Sequence, residues 1–417
     1  MELASILYKT EMIERTLFAR LARIAAAFPA VLLTGPRQAG KSTLLKEFAR
    51  GRYEAVTLDD LAERELARRD PALFFSLHKP PVLIAELQHA PRLMTAIKIW
   101  ADSHPEKKGQ FLLTASQKFH LMKGVQESLA GRVAVLNLLG LSLAEIRGVP
   151  RRPPFLGDDK GIAGAMEGLA ECGPEALYET IWRGSFPALA ADPSMDRDRY
   201  FASYTAAFIE RDVRNAAGIA DPVAFQNFMR AAAARTGRLL SCAAMAREAG
   251  IDPKTAKSWL GILETAGLVR LLHPFRGGGF KRIIKAPKLY FLDTGLCSYL
   301  TKWSSPETLA AGAMSGAILD TFVFLEILKS WWNCAREPDV SFYRDANQRE
   351  IDFVMQRDGA LHPIGVNRSL APRASAARNF SLLERLGMPV GTGVILDLRP
   401  DFLRLSRNLV SVPVTAI

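Results

Sequence analysis

The chain has 417 residues, 49% of them hydrophobic, which is typical of packed globular domains and long enough for roughly two to four of them. No apolar stretch reaches the roughly 18 to 20 residues that a membrane-spanning helix needs, and residues 1–5 show no signal-peptide pattern. The net charge of +11 suits a polyanionic partner. The scattered cysteines exclude a disulfide framework or a zinc site, so we expect a cytoplasmic protein without membrane contact: Cys172, Cys242, Cys297 and Cys334.

Strand and helix signals alternate through the first third of the chain. Strands are predicted at residues 31–34, 53–58, 82–85, 110–114 and 133–138, and helices at 16–27, after Lys41, and at 62–69, 93–103 and 118–129. Strands that alternate with helices form a parallel sheet covered on both faces. The fold class predicted for this part is therefore α/β.

The loop after the first predicted strand carries the clearest chemical signal. Residues 35–42, GPRQAGKS, match G-x-x-x-x-G-K-[ST], the phosphate-binding loop. Lys41 is expected to reach the terminal phosphates and Ser42 to ligate Mg²⁺. The predicted cofactors are ATP and Mg²⁺, and the predicted nucleotide-binding residues are Gly35, Pro36, Arg37, Gln38, Ala39, Gly40, Lys41, Ser42 and Thr43.

Hydrolysis also needs an acidic group at the end of a neighbouring strand. Glu86, after the strand at 82–85, is predicted to activate water, although a surface carboxylate would give the same pattern. The preceding position, where an Asp would help to hold Mg²⁺, is Ala85. We therefore expect slow hydrolysis, unless Asp59 or Asp60 compensates.

Two further segments follow in the order that an ATPase site requires. Ser116 or Gln117, at the end of the strand at 110–114, would contact the terminal phosphate or the attacking water, although Ser116 is also a suitable helix N-cap. Arg132 would complete a neighbouring subunit's site as an arginine finger, or would cap a helix C-terminus. The predicted catalytic residues are Glu86, Lys41, Arg132, Ser116 and Gln117.

These segments resemble those of the prokaryotic AAA-type P-loop ATPases that carry a C-terminal domain of unknown function. The matching stretches, spread over residues 28–366, are LLTGPRQAGKSTLL, PVLIAELQHAP, FLLTASQKF, ESLAGRV, FIERDVR, KLYFLDTGL and YRDANQREIDFVM. The resemblance implies an AAA-type core, a helical region, a winged helix and a restriction-endonuclease-like C-terminal domain. This chain departs from the family pattern at Ala85, Ala115, Gly365 and Asn367.

The middle of the chain has the pattern of a winged helix. Residues 225–272 are predicted to be helical with a break at 250–253, and strands are predicted at 280–284 and 288–292. Residues 226–300 hold twelve Lys/Arg against four Asp/Glu, which favours DNA as the partner, although winged helices also bind proteins. The predicted DNA contacts are Lys254, Lys257, Arg276, Lys281, Arg282, Lys285 and Lys288. In the helix around Arg211 and Arg214, a solvated ion-pair face is favoured over nucleotide sensing.

The last part predicts a helix at 317–332 and strands at 340–343, 350–356 and 361–366. A nuclease of the restriction-enzyme type needs a strand carboxylate and an acidic-x-Lys triplet on the next strand. Asp352 fills the first place and Glu326 is a candidate accessory ligand, but the triplet is Gly365-Val366-Asn367. We therefore expect this domain not to cleave DNA.

The predicted domains are residues 1–150 (nucleotide-binding), 151–224 (helical), 225–300 (winged helix) and 301–417 (nuclease-like, inactive). The predicted function is an ATP-dependent, DNA-associated motor or remodeller that assembles as a homo-oligomeric ring or partial ring. The alternative is a nucleotide-gated regulatory or defence protein in which ATP holds one conformation. Ala85 favours the alternative, and the basic segment favours the motor.

Overall fold

A computed structural model describes residues 12–115, 131–150, 153–166, 172–215, 219, 221–276, 284–370 and 374–417. Its first layer is a five-stranded parallel sheet in the order β2-β3-β4-β1-β5. The strands are β1 (Ala30–Thr34), β2 (Glu54–Thr57), β3 (Val82–Ala85), β4 (Phe111–Ala115) and β5 (Val133–Asn137). The helices are α1 (Phe18–Ala27), α2 (Lys41–Ala49), α3 (Leu61–Arg69), α4 (Pro71–Leu77) and α5 (Leu93–Ser103).

The central strands of this sheet are buried on both faces. Every residue of β1 and β4 is buried, which explains their continuous apolar sequences. Leu21 and Leu45 pack one face with α1 and α2, while Phe74 and Ile97 cover the other with α4 and α5. The predicted α/β class and all five strands are confirmed, whereas α4 was not predicted. The helix predicted at 118–129 lies outside the described residues.

A helical region follows the sheet. It comprises α6 (Leu143–Ile146), α7 (Asp159–Met166), α8 (Pro174–Arg183), α9 (Pro187–Ala191) and α10 (Arg197–Phe208), and α10 continues into a π-helical turn over Ile209–Asn215. Asp196 caps α10 by accepting hydrogen bonds from the amides of Asp198 and Arg199. The buried guanidinium of Arg197 donates to the carbonyls of Trp182 and Gly295, which fixes α10 against α8 and against a later part of the chain.

The next region joins three helices to a three-stranded antiparallel sheet. These elements are α11 (Pro222–Ala233), β6 (Arg238–Leu239), α12 (Cys242–Ala249), α13 (Pro253–Thr265), β7 (Val269–Leu272) and β8 (Lys288–Phe291), with sheet order β6-β8-β7. Trp259 and Leu263 form the buried face of α13 as predicted. One prediction was wrong, because the helix ends before residues 269–272, which form β7. Of the strand predicted at 280–284, residues 280–283 lie outside the described residues.

The C-terminal part holds a mixed six-stranded sheet in the order β13-β14-β12-β11-β10-β9. Its elements are α14 (Thr294–Leu300), α15 (Pro306–Ala311), α16 (Ser315–Trp332), β9 (Val340–Arg344), β10 (Glu350–Arg357), β11 (Ala360–Val366), β12 (Gly393–Asp397), β13 (Leu403–Ser406) and β14 (Leu409–Pro413). The predicted helix and three strands are confirmed, and β12 to β14 were missed. No helix among the described residues is long and apolar enough to cross a membrane.

The three-stranded sheet is joined to this C-terminal sheet. The amide of Phe275 donates to the carbonyl of Phe342 at 2.7 Å, and the amide of Ile284 donates to the carbonyl of Arg344 at 3.1 Å. Nearby, the buried ammonium of Lys288 lies 2.5 Å from the Glu350 carboxylate. One hydrophobic core runs through the helical region, the region of the three-stranded sheet and the C-terminal part, so these parts of the chain pack together.

Candidate functional site

The loop between β1 and α2 lies at the carboxyl edge of the parallel sheet. Gly35 has φ 152°, and a β-carbon built there would lie 2.0 Å from the carbonyl oxygen of Leu138. Only glycine fits so close to another backbone, so this position is determined by packing as well as by conformation. Gly40, in the left-handed region, leads into α2, whose N-terminus faces the loop. The backbone here has the form of an anion-binding nest.

Lys41 is the cation of this loop. Its ammonium donates to the carbonyls of Pro36 at 2.6 Å and Gly35 at 3.0 Å, and the residue is 4% exposed. Burial lowers the pKa of Lys41 to about 8, nearby Glu86 raises it, and Arg37 lowers it further. The loop therefore holds a desolvated positive charge whose described hydrogen-bond acceptors are two carbonyl oxygens, and an incoming anion would gain from that charge.

Glu86 and Lys41 line the same cavity of about 300 Å³, together with Ser42 and Thr43. Glu86 follows β3 directly in a left-handed conformation, φ 59°. Its carboxylate accepts a hydrogen bond from Gln88 Nε2 at 2.6 Å, and its amide donates to Thr114 Oγ1 at 3.1 Å. Strained backbone of this kind clusters at functional sites. The structure thus brings together the predicted lysine, serine and glutamate.

Ala85 ends β3 and is buried, so position 85 adds no second carboxylate beside Glu86. Asp60 caps α3 by accepting from the amides of Ala62 and Glu63. Asp59 lies 3.9 Å from Arg64 and 3.8 Å from His89. The described residues include no group of three or more His, Cys, Asp or Glu side chains spaced to hold a metal ion. Mg²⁺ here would thus depend on Ser42 and on the oxygens of a bound phosphate.

The helical region closes the cavity with Tyr204, Phe208 and Arg211. Arg211 is exposed and stands on the π-helical turn after α10, a feature frequent at functional sites. Sequence analysis favoured a solvated ion-pair face for this arginine, whereas the structure places it at the cavity. The side chain of Arg214 lies outside the description. The π-helical turn could not be read from the sequence, because a helical period alone does not reveal it.

A second, largely apolar cavity of about 800 Å³ adjoins the loop at Gly40 and Thr43. Phe18 of α1 and Leu44 of α2 line one part, and Leu141 and Pro187 line another. Sequence analysis did not find this cavity, because its walls come from four separated segments. It is large enough for a flat heterocyclic group beside the phosphate loop.

Of the three remaining predicted catalytic residues, the structure describes Arg132 alone. Ser116 and Gln117 lie outside the described residues. Arg132 precedes β5 at the amino edge of the sheet, opposite the loop that carries Lys41, and forms an ion pair with Asp102. Arg132 therefore cannot reach the cavity of its own chain.

Comparisons with known proteins agree with this geometry. Residues 27–147 match the family model described as AAA domain. The match supports a nucleotide-binding P-loop ATPase of AAA type. Residues 174–307 and 315–417 match two models described as domains of unknown function, DUF8612 and DUF4143.

Two curated relatives are uncharacterized proteins, Rv2008c of Mycobacterium tuberculosis and Mb2031c of Mycobacterium bovis. Each is 29% identical over 369 residues, which cover 88% of this chain and 76% of the relative. The Walker-type ATPase PABY2304 of Pyrococcus abyssi matches with a TM-score of 0.43 and 14% identity, over 70% of this chain and 97% of that chain. A RuvB variant of Thermotoga maritima matches with a TM-score of 0.29 and 16% identity, over 61% and 85%. These low TM-scores carry no argument about function.

The predicted DNA contacts divide into three groups. Four of them are exposed: Lys254 and Lys257 on α13, Arg276 after β7, and Lys285 before β8. Lys281 and Arg282 lie outside the described residues. Lys288 is 2% exposed and paired with Glu350, so its prediction as a DNA contact was wrong. A strand position in the sequence did not reveal that its side chain points into the junction with β10.

An acidic cluster lies beside this junction. Asp352 of β10 accepts the amide of Val366 at 2.8 Å and would lie 3.9 Å from a β-carbon at Gly365. Its helical neighbour is Asp320 of α16, and burial followed by repulsion from Asp352 raises the pKa of Asp320 to about 8. Glu326 was wrongly predicted as the accessory acid, because its carboxylate accepts from Lys329 and from the amide of Leu143.

The raised pKa of Asp320 predicts a pH-dependent stability. The folded state binds this proton more tightly than the unfolded state, so the free energy of unfolding falls as pH rises from about 4 to 8. Asp320→Asn should remove part of that slope and stabilise the protein by about 1–2 kcal/mol at pH 8. Denaturant unfolding at pH 5 and pH 8 measures the difference, with exposed Asp358→Asn as control. Parallel pH profiles for the parent and Asp320→Asn would contradict the assignment.

Proposed function

We propose that the protein binds ATP with Mg²⁺ at the loop 35–43 and hydrolyses it slowly. The observation that carries the proposal is the buried ammonium of Lys41, which shares a cavity with Glu86 and is held by carbonyls alone among the partners described. Phosphate oxygens are stronger acceptors for that charge than two loop carbonyls. The adjoining apolar cavity would take the base and ribose, with Gly40 and Thr43 between the two compartments.

Glu86 is proposed as the group that orients the attacking water, and Ser42 as the Mg²⁺ ligand. Because Ala85 leaves the strand end without a second carboxylate, turnover is expected to be slow. Arg211 would contact the terminal phosphate from the helical region and so report its presence. Ser116 and Gln117 keep their proposed roles at the end of β4.

Assembly is part of the proposal because Arg132 faces away from its own site. An arginine at the amino edge of the sheet can serve only the site of a neighbouring copy, which favours a homo-oligomeric ring or partial ring. Its ion pair with exposed Asp102 would then be exchanged for a phosphate contact. Such an exchange is favourable because surface ion pairs contribute little.

DNA is the proposed partner of the winged-helix region. Lys254 and Lys257 project from the exposed side of α13, the position of a recognition helix, and Lys285 adds charge at the wing. The C-terminal domain is proposed to have a nuclease-like fold without cleavage activity, since Asp352 is accompanied by Gly365 and Asn367. We propose that nucleotide turnover moves these regions on DNA in a cytoplasmic motor or remodeller.

A nucleotide-gated regulator is the second candidate function, and Ala85 favours it. A site that binds ATP and turns it over slowly would hold one conformation for a long time. The measured rate of hydrolysis separates the two candidates.

Lys41→Ala should weaken ATP binding by about 100-fold, because charge-assisted hydrogen bonds contribute about 1.5–3 kcal/mol each. Titration calorimetry of the full chain with ATP and Mg²⁺ measures the affinity. Lys46→Ala, an exposed position on the same helix, is the matched control and should bind like the parent. Equal affinity of Lys41→Ala and Lys46→Ala would place the nucleotide elsewhere.

Ala85→Asp should raise the turnover number at least about tenfold by adding a charged group beside Mg²⁺. Phosphate release under saturating ATP measures the rate, and an Ala85→Asn variant controls for size. If Asp and Asn give the same rate as the parent, another group already positions the metal.

Replacing Lys254, Lys257 and Lys285 by Ala should weaken binding to all DNA sequences alike. The slope of the logarithm of the binding constant against the logarithm of the salt concentration should fall in magnitude by about three, one for each lost phosphate contact. A fluorescence-anisotropy titration at several salt concentrations measures both. Replacing exposed Lys79, Lys107 and Lys108 of the nucleotide-binding domain removes the same charge and should have a smaller effect. Identical losses in the two triple variants would mean that net charge, not this surface, binds DNA.

A further inference from the structure

The phosphate loop packs against the turn that follows α13. Gly267 adopts φ 73° at this turn, and a β-carbon built on it would lie 3.3 Å from the backbone nitrogen of Pro36 and 3.4 Å from its Cδ. Leu268 and Leu292 of the winged-helix region line the same small space around Pro36. A loop residue of the nucleotide site is therefore seated on the winged-helix region.

Pro36 is also the residue that holds the catalytic cation. Its carbonyl accepts the shorter of the two hydrogen bonds from Lys41, at 2.6 Å. The position of this one residue thus couples two contacts, one of its nitrogen and Cδ with Gly267 and one of its carbonyl with Lys41. A displacement of Pro36 by a few tenths of an ångström would move the ammonium and the neighbouring amides together.

The turn has little freedom to move away from the loop. The amide of Leu292 donates to the carbonyl of Leu268 at 2.8 Å, which ties the turn to the end of β8. The next residue, Asp293, accepts from both the amide and the hydroxyl of Ser185 at 2.8 Å. Ser185 in turn accepts the amide of Leu141 through its carbonyl at 2.7 Å. These bonds lock the turn to the segment that follows β5, so strain at Gly267 would fall on Pro36.

We propose that Gly267 is a positioning residue for the phosphate loop. By packing on Pro36, the turn holds the loop in the conformation in which Lys41 and the loop amides bind the phosphates of a nucleotide. The winged-helix region thereby takes part in nucleotide binding without touching the nucleotide. This inference rests on the proposed ATP-binding function and deepens it.

The chain offers a matched control for this proposal. Gly250 ends α12 as Gly267 ends α13, its φ is 69°, and a β-carbon there would meet nothing within 4 Å. Alanine introduces similar backbone strain at both positions, because both have a left-handed φ. Only alanine at position 267 adds a close contact with the phosphate loop. Differences between the two variants therefore report the contact with Pro36.

The test measures the affinities of the full chain for ATP, ADP and AMP. Gly267→Ala should weaken ATP and ADP about tenfold, because overpacking typically costs about that factor in an equilibrium. AMP should change less than about twofold, because a monophosphate depends little on the loop. Gly250→Ala should bind all three like the parent. Thermal unfolding of both variants shows that each is folded.

A double-mutant cycle with Pro36→Ala tests the same contact by a second route. Removing the ring takes away the contact of the added methyl group with Cδ, so the double variant should bind ATP more tightly than additivity of the two single effects predicts. Three results would overturn the inference. They are additive effects in the cycle, equal ATP affinities of Gly267→Ala and Gly250→Ala, and a loss of AMP affinity in Gly267→Ala as large as the loss of ATP affinity. Those results would leave the proposal of ATP binding intact. If the parent protein binds no ATP, both that proposal and the inference about Gly267 fail.

Discussion

The close approach of Gly35 to the carbonyl of Leu138 is the constraint on which the site depends. Because no side chain fits between the loop after β1 and the chain after β5, the loop lies close against the backbone at the edge of the sheet. Lys41 is buried in this loop, and its ammonium donates to the carbonyls of Gly35 and Pro36. The same lysine lines the cavity that Glu86 lines from the end of β3.

The loop at residues 35–43 contacts several regions of the chain that are distant in sequence. Tyr200 of α10 donates its hydroxyl to Gln38 at 2.5 Å, Pro187 lies beside Gly40, and Gly267 lies beside Pro36. The three-stranded sheet β6-β8-β7 is in turn joined to the C-terminal sheet through Lys288 and Glu350. Among the described residues, packed contacts therefore run from the loop to the C-terminal domain. This continuity suits both a motor and a regulator, because each needs nucleotide and domain position to be coupled.

Local patterns in the sequence predicted what depends on local physics. The apolar runs of β1 to β5 and the GPRQAGKS loop determine a parallel sheet and a phosphate site, and the inner face of α13 follows from the spacing of Trp259 and Leu263. Contacts between segments that are distant in the sequence could not be predicted from local patterns. Lys288 was read as an exposed wing residue because nothing near it signals Glu350, which is far along the chain. Glu326 was named as the accessory acid and Asp320 was not considered, because the sequence does not show which side of α16 faces Asp352. Arg211 was undervalued for the same reason.

Hydrogen–deuterium exchange of the full chain with and without ATP and Mg²⁺ tests the central claim most directly. If the loop binds phosphate and is seated on the turn after α13, ATP should slow exchange in two places at once: the amides of residues 35–43 and those of residues 265–268, which line neither of the two cavities proposed for the nucleotide. ADP should give a weaker version of the same pattern. Protection confined to other parts of the chain, or slowing at the loop with no change at residues 265–268, would contradict the account.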